Sequence, residues 1–163
     1  MTMPRLNKTI VYIPCLLVVL CSACHHSVGS EEQLKEDVDS FATYYYNWHF
    51  EKALKYCTPE SEKWLRYASS NVQEEDVALL KAKEGDATIE LQDVTFASDN
   101  DTVATVLLVV YDVLTMKEIG RPAQIIDQAT YSLPLVFRNG RWLVRMEDLP
   151  RSERQSHGSD GDE

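Results

Sequence analysis

The side chains able to act as nucleophiles or metal ligands are few in this chain, with four cysteines and four histidines among 163 residues. Cys15, Cys21 and Cys24 crowd into the start, which leaves Cys57 as the one thiol in the body of the chain. A reactive cysteine needs a cationic or helix-terminal neighbour that favours the thiolate. Cys57 instead closes Ala53-Leu54-Lys55-Tyr56-Cys57, the end of an apolar helical pattern, and reads as a buried small hydrophobe. The adjacent pair His25-His26 has imidazole donors, but no carboxylate or thiol stands beside it except Cys24, so the three or four ligands of a metal site are missing. No metal and no cofactor is expected.

The first two dozen residues carry the strongest signal. Arg5 and Lys8 give a positive start, Ile10 to Leu20 form an apolar run broken by Tyr12 and Pro14, and the small residues Ser22 and Ala23 precede Cys24. The run is shorter than the roughly 20 residues a spanning helix needs, and it has the form of a secretory signal that is removed. Leu20-Cys21-Ser22-Ala23-Cys24 resembles the bacterial lipoprotein signal, in which small residues precede a cysteine that takes a diacylglyceryl thioether and an acylated amine. The position three before the modified residue, which holds Leu in that pattern, is Cys21 here. Moving the modification to Cys21 would place bulky Leu20 at the cleavage site. The resemblance implies a signal peptide over 1–23, lipid on Cys24 and a membrane anchor of more than one acyl chain, which holds stably where a single chain does not. An ordinary secretory signal is the alternative. His25 is not the Asp that retains such proteins at the inner membrane in some bacteria, so the resemblance favours the outer membrane, facing the periplasm.

Cleavage before Cys24 removes Arg5 and Lys8 and no acid, which moves the formal charge from −10 to −12. An acidic chain lacks the basic stripe of nucleic-acid binders, so no nucleic acid is expected as partner. Cys57 alone forms no disulfide framework. The segment 24–30 holds one apolar residue, Val28, and reads as a tether.

The elements that must position everything else then follow. Ser30-Glu31-Glu32-Gln33 has the form of a capping box, and Leu34, Val38, Phe41, Tyr45 and Trp48 recur at steps of four and three, predicting one buried helix face. Asn47-Trp48-His49 breaks that pattern. Phe50, Ala53, Leu54 and Cys57 predict a short second helix. Thr58-Pro59-Glu60 starts a third, carrying Trp64, Leu65 and Ala68. Glu74 to Lys83 predicts a fourth short helical stretch ending at Gly85.

Past Gly85 the period becomes two. Ile89, Leu91, then Val94, Phe96 alternate with a slip at Gln92-Asp93, the mark of a β-bulge. Ser98 to Asp101 is a turn, and Thr102 to Leu114 is a valine-rich run that reads as the most buried strand. A loop near Gly120-Arg121-Pro122 leads to a strand from about Ile125 to Arg138. Asn139-Gly140 predicts a type I′ hairpin, whose register would pair Arg138 with Arg141, Phe137 with Trp142, Leu135 with Val144 and Leu133 with Met146. The inward face would then be Tyr131, Leu133, Leu135, Phe137, Trp142, Val144 and Met146, with Pro134 at an edge or irregularity. Which parity of the valine-rich strand points inward stays open. Residues 151–163 lack apolar side chains and read as a disordered acidic tail.

The fold class is therefore α+β over 31–150, N-terminal helices packed on a curved antiparallel sheet of about four strands. The Phe41, Tyr45, Trp48 helix face, the step Phe50-Glu51-Lys52-Ala53-Leu54 into Thr58-Pro59-Glu60, and Asn139-Gly140-Arg141-Trp142-Leu143-Val144 resemble the nuclear transport factor two-like superfamily, a sheet wrapped around helices into a cone. They resemble in particular small bacterial lipoproteins carrying this domain. Three classes of function then compete, of which the resemblance implies the first, the aromatic inward faces suggest the second and the two-faced strand the third. As an enzyme, an isomerase or dehydratase would use an Asp or His base and a Tyr or acid oxyanion donor, drawn from Tyr45, His49, Tyr111, Asp112 and Asp127; none stands in a motif, so no catalytic residue is assigned. A pocket for a small apolar ligand would draw on Tyr45, Trp48, His49, Tyr111, Asp112, Tyr131 and Trp142. The favoured class is a protein-interaction module. Val106, Leu108 and Val110 lie on one face of the long strand and Val103, Leu107 and Val109 on the other, so the face away from the helices needs a cover, from a homodimer or an envelope protein.

Overall fold

The computed structural model describes residues 28–116 and 122–153. The signal over 1–23, Cys24, His25-His26, Gly120-Arg121 and residues 154–163 of the expected tail lie outside the described residues, whereas its first three, Arg151, Ser152 and Glu153, are described and Ser152 forms an antiparallel bridge with Tyr131. The fold is α+β, with helices on the N-terminal side and an open four-stranded antiparallel sheet in the order β1-β2-β3-β4. Helix α1 runs Glu31–Tyr46, α2 Phe50–Ala53, α3 Glu62–Ser70 and α4 Glu74–Ala82, with 3-10 turns at Leu54–Tyr56 and Pro59–Ser61. The strands are β1 Thr88–Ala97, β2 Asn100–Thr115, β3 Gln124–Arg138 and β4 Arg141–Val144.

Ser30 caps α1 by accepting from Gln33 N at 3.0 Å. The reciprocal half of the expected capping box is absent: Gln33 Nε2 donates instead to Gly140 O, 2.7 Å away in the hairpin turn. The side chain is drawn there because α1 packs against β4. Leu34, Val38, Phe41 and Ala42 bury one face of α1 completely. The helix ends at Tyr46, one residue before the expected break, so Trp48 is not part of its stripe; Trp48 has φ +61 and turns the chain into α2. Asn47 secures that corner, accepting from Ala87 N at 2.7 Å and donating to Ala87 O at 3.2 Å. A buried side-chain amide here substitutes for the strand partner that Ala87 lacks.

The sheet register follows the turn chemistry. Asn139 and Gly140 both have positive φ, and Arg138↔Arg141, Phe137↔Trp142 and Leu135↔Val144 pair across the turn. Leu133↔Met146 does not form, because β4 ends at Val144. There the 3-10 turn takes over: Thr58 N donates to Val144 O at 2.9 Å and Met146 N donates to Ser61 Oγ at 2.8 Å. Pro134 accepts from Arg145 N at 2.8 Å, so its missing N–H faces the place where β4 departs. The pairing of β1 with β2 slips between Leu91 and Asp93, which is the expected bulge.

Val106, Leu108 and Val110 are fully buried against the helices, together with Tyr131, Leu133, Leu135, Trp142 and Val144. Phe137, expected inward, is half-buried. Beyond Val110 the parity reverses. Asp112 has φ +52 and is exposed, and Val113 rather than Asp112 joins the core. On β3 the same reversal lets Ile126 as well as Ala129 pack on the core.

Candidate functional site

Two ends and one face of this sheet carry the candidate residues. At the C-terminal end of α1, Tyr45, Tyr46, Trp48 and Phe50 meet Val113 to Met116, Tyr131, Leu149 and Pro150 around a cleft of about 70 Å³. The Tyr46 ring lies 4.6 Å from Tyr131 and 5.1 Å from Tyr45, centre to centre. Trp48 is held over the cleft by its indole N–H, which donates to Leu114 O at 2.9 Å. Burial pushes the Tyr45 and Tyr46 phenols well above their ordinary value, with Tyr131 adding to both. Burial raises Tyr131 as well, against a Thr115 hydrogen bond that lowers it. All three phenols are therefore neutral hydrogen-bonding groups at physiological pH. The Tyr46 hydroxyl is buried with no partner among the described residues.

Of the residues the sequence nominated for a pocket, the structure brings together Tyr45, Trp48 and Tyr131. It separates the other four from them. His49 is exposed and lies on a shallow surface with Glu51 and Lys52. Tyr111 is on the outer sheet face, where its hydroxyl donates to Glu90 at 2.9 Å and that bond raises its pKa. Asp112 is exposed at the parity reversal, opposite Asp127, which is also exposed. Trp142 is 1% exposed at the far end of the sheet, against Phe137 and Phe96. Sequence reasoning missed Tyr46, Phe50 and Thr115 as cleft residues. Tyr46 stands four after buried Ala42, a spacing that carries the signal; Thr115 lies past the parity reversal and carries none.

Cys57 is buried, its thiol directed to Leu54 O at 3.6 Å, and burial together with Glu62 pushes it up to about 11. Such a thiol is protonated and inert at neutral pH. Among the described residues no group of three or more His, Cys, Asp or Glu is placed to hold a metal, and no helix is long and apolar enough to cross a membrane.

The outer sheet face is the remaining candidate. Val103, Val136 and Leu143 stand side by side across β2, β3 and β4, and Leu107 and Val109 continue the aliphatic band along β2. On the same face Thr95, Thr105 and Ser132 are exposed, Val103, Leu107 and Leu143 are half-buried, and Val109 and Val136 are buried among their neighbours. Glu90 and Asp93 on β1 border the band, opposite Val109 and Leu107. No protein-family model matches this chain, and no curated protein matches it.

Proposed function

We propose that this protein is a bacterial envelope lipoprotein, anchored through lipid on Cys24 at the outer membrane and facing the periplasm, whose domain is a non-catalytic interaction module working through the outer sheet face. The observation that carries the reading is the aliphatic band from Val103 to Leu143, which crosses three strands on the side away from the helices. A filled interior supports it, since Val106, Leu108, Val110 and Leu133 close the space between helices and sheet. Ligand pockets occupy about 300–1,000 Å³; the cleft that gathers the nominated aromatic residues offers about 70 Å³, and the larger hollows, about 300 Å³ beside Pro134 and Met146 and about 310 Å³ beside His49, gather none of Tyr45, Tyr111, Tyr131 or Trp142. On the residues named above, the same reading assigns the domain to the nuclear transport factor two-like superfamily.

The inward parity is now known, so the test is direct. Leu107→Lys places an ammonium beside Asp93 at a half-buried position of the outer face and should leave the domain folded while separating subunits or releasing a partner. Val110→Lys buries the same charge in the core and should unfold the chain. Sedimentation of the purified chain from Val28 onward measures the first effect. A wild-type monomer at high micromolar concentration, with no Leu107-dependent partner in envelope extract, refutes the interaction reading. The anchor is tested separately: Cys24→Ala should abolish fatty-acid incorporation, and partition of the wild-type chain into the aqueous phase after detergent phase separation refutes it.

A second reading, a small apolar ligand in the cleft, rests on the buried Tyr46 hydroxyl, which has no partner among the described residues. A carbonyl-bearing ligand would satisfy that donor.

A further inference from the structure

The end of the sheet opposite the cleft brings together four features that share one explanation. The β1–β2 turn, the Asn139-Gly140 turn and the N-terminus of α1 all lie there, because the strands form an antiparallel meander and α1 packs on β4. Phe96 is 41% exposed at this end, its ring 5.9 Å from Trp142, and half-buried Phe137 is 5.3 Å from the same indole. The chain enters the fold over these rings. A Cβ on Gly29 would lie 2.6 Å from both Phe137 Cε2 and Trp142 Nε1, so glycine, at φ +39, is what lets the backbone pass so close. Val28, the residue before it, already packs on the core.

The length of chain beyond Val28 decides what this end faces. Val28 is four residues on from Cys24 in the chain, a span of at most about 14 Å when fully extended. If Cys24 carries lipid, the aromatic end cannot be further than that from the bilayer surface. Aromatic side chains with one face packed and one free are suited to the headgroup region. The charge pattern narrows the lipid. Glu31, Glu32, Asp99 and Asp101 are exposed around the rings, while Arg138 is engaged by Glu60 and Arg141 by Asp37. The two arginines of the hairpin are thus already paired with acids, and the exposed charges in the chain next to the rings are acidic.

We infer that the Phe96–Phe137 end of the domain is a lipid-facing surface that seats on zwitterionic headgroups and sets the molecule upright on the membrane. The inference rests on the anchor part of the proposed function and is independent of the outer-face part. β2 has 16 residues, about 50 Å at 3.3 Å per residue before curvature, so the cleft end is carried well away from the bilayer.

The test uses the full chain, processed in a bacterial host and reconstituted in phosphatidylcholine vesicles. Spin labels are placed through Ser98→Cys in the β1–β2 turn and, separately, Asp127→Cys at the far end; buried Cys57 does not compete. A relaxant attached to lipid headgroups should broaden the Ser98 label several-fold more than the Asp127 label. A second pair of chains lengthens the tether by about 20 Gly and Ser residues after Ser27. The Ser98 label should stay at the surface in the long-tether chain and leave it when Phe96→Ser is added. Replacing part of the phosphatidylcholine by phosphatidylglycerol should weaken the contact. Equal broadening at the two sites means that the aromatic end is covered by protein, and overturns the inference. Loss of the contact on lengthening alone also overturns it, because proximity would then come from the tether and not from the surface. A chain that fails to enter the detergent phase refutes the anchor reading instead, and the inference falls with it.

Discussion

Asp37 joins α1 to β4 from inside the fold, and its removal should cost more than any exposed ion pair here. The carboxylate is 9% exposed; Oδ2 accepts from the buried Trp142 N at 3.0 Å, and Oδ1 accepts from Arg141 Nη2 at 3.1 Å. The two bonds differ in worth. Arg141 is about half exposed and also lies over the Tyr56 ring, 4.9 Å from its centre, so its ion pair contributes up to about 1 kcal/mol. The Trp142 amide is different, because it has no access to water once its acceptor is gone. A hydrogen bond to a charged group contributes about 1.5–3 kcal/mol, and an orphaned buried donor costs about 1–3 kcal/mol. Asp37→Ala should therefore destabilise the domain by about 2–4 kcal/mol, and Arg141→Gln by about 1 kcal/mol or less. Asp37→Asn keeps an acceptor for the amide and should fall between them. Urea unfolding followed by tryptophan fluorescence measures all three, with the m-value showing whether the unfolded reference has changed. If Asp37→Ala costs no more than Arg141→Gln, the amide bond is not what secures β4, and the reasoning fails.

Trp142→Ala removes the largest fully buried side chain, on which Phe96 and Phe137 both rest, and should cost about 3–5 kcal/mol in the same assay. A loss under about 1 kcal/mol would mean that the site collapses freely around the missing ring. Cys57 should resist alkylation in the native chain at neutral pH. Its folded thiol titrates near 11 because burial disfavours the thiolate, so the native rate should climb as pH rises toward that value. Fast labelling at pH 7 without denaturant, read by intact mass, would show that the thiol is not enclosed.

The local elements were legible because each rests on short-range chemistry. The two positive-φ residues of the Asn139-Gly140 turn set the register of three cross-strand pairs, and Pro59 after Thr58 marked the turn into α3. The bulge was visible as a slip between Leu91 and Val94. Misplacements arose where a distant partner decided the outcome. Gln33 has the sequence of a reciprocal cap, but Gly140 O, 107 residues away, holds its amide. Met146 continues the alternation of β4, yet Ser61 Oγ takes its N–H and ends the ladder. Periodicity carries no information about either contact. The same holds for the candidate site: Tyr45 and Trp48 were found from aromatic spacing, while Tyr111 and Trp142, equally aromatic, are on another face and at another end.

Asp112 shows how one backbone angle reassigns a candidate. Alternation continued from Val106, Leu108 and Val110 would put Asp112 inside, where a carboxylate could serve as a base. Its φ of +52 instead turns the strand, so that Asp112 reaches solvent and Val113 takes the core position. An aspartate tolerates this left-handed region better than the valines around it, which gives the residue a structural reason for its place. Across the ladder, Tyr111↔Gln128 and Val113↔Ile126 flank Asp112 and Asp127, so the reversal is shared by both strands. The consequence reaches the cleft. Because parity changes there, Val113, Leu114 and Thr115 line the space beside Tyr46 and Tyr131, and the end of the sheet closes over the α1 terminus. Asp112 and Asp127, candidate bases by sequence, thus stand in solvent outside the cleft, and what faces it are neutral phenols, the Trp48 and Phe50 rings, aliphatic side chains and Thr115.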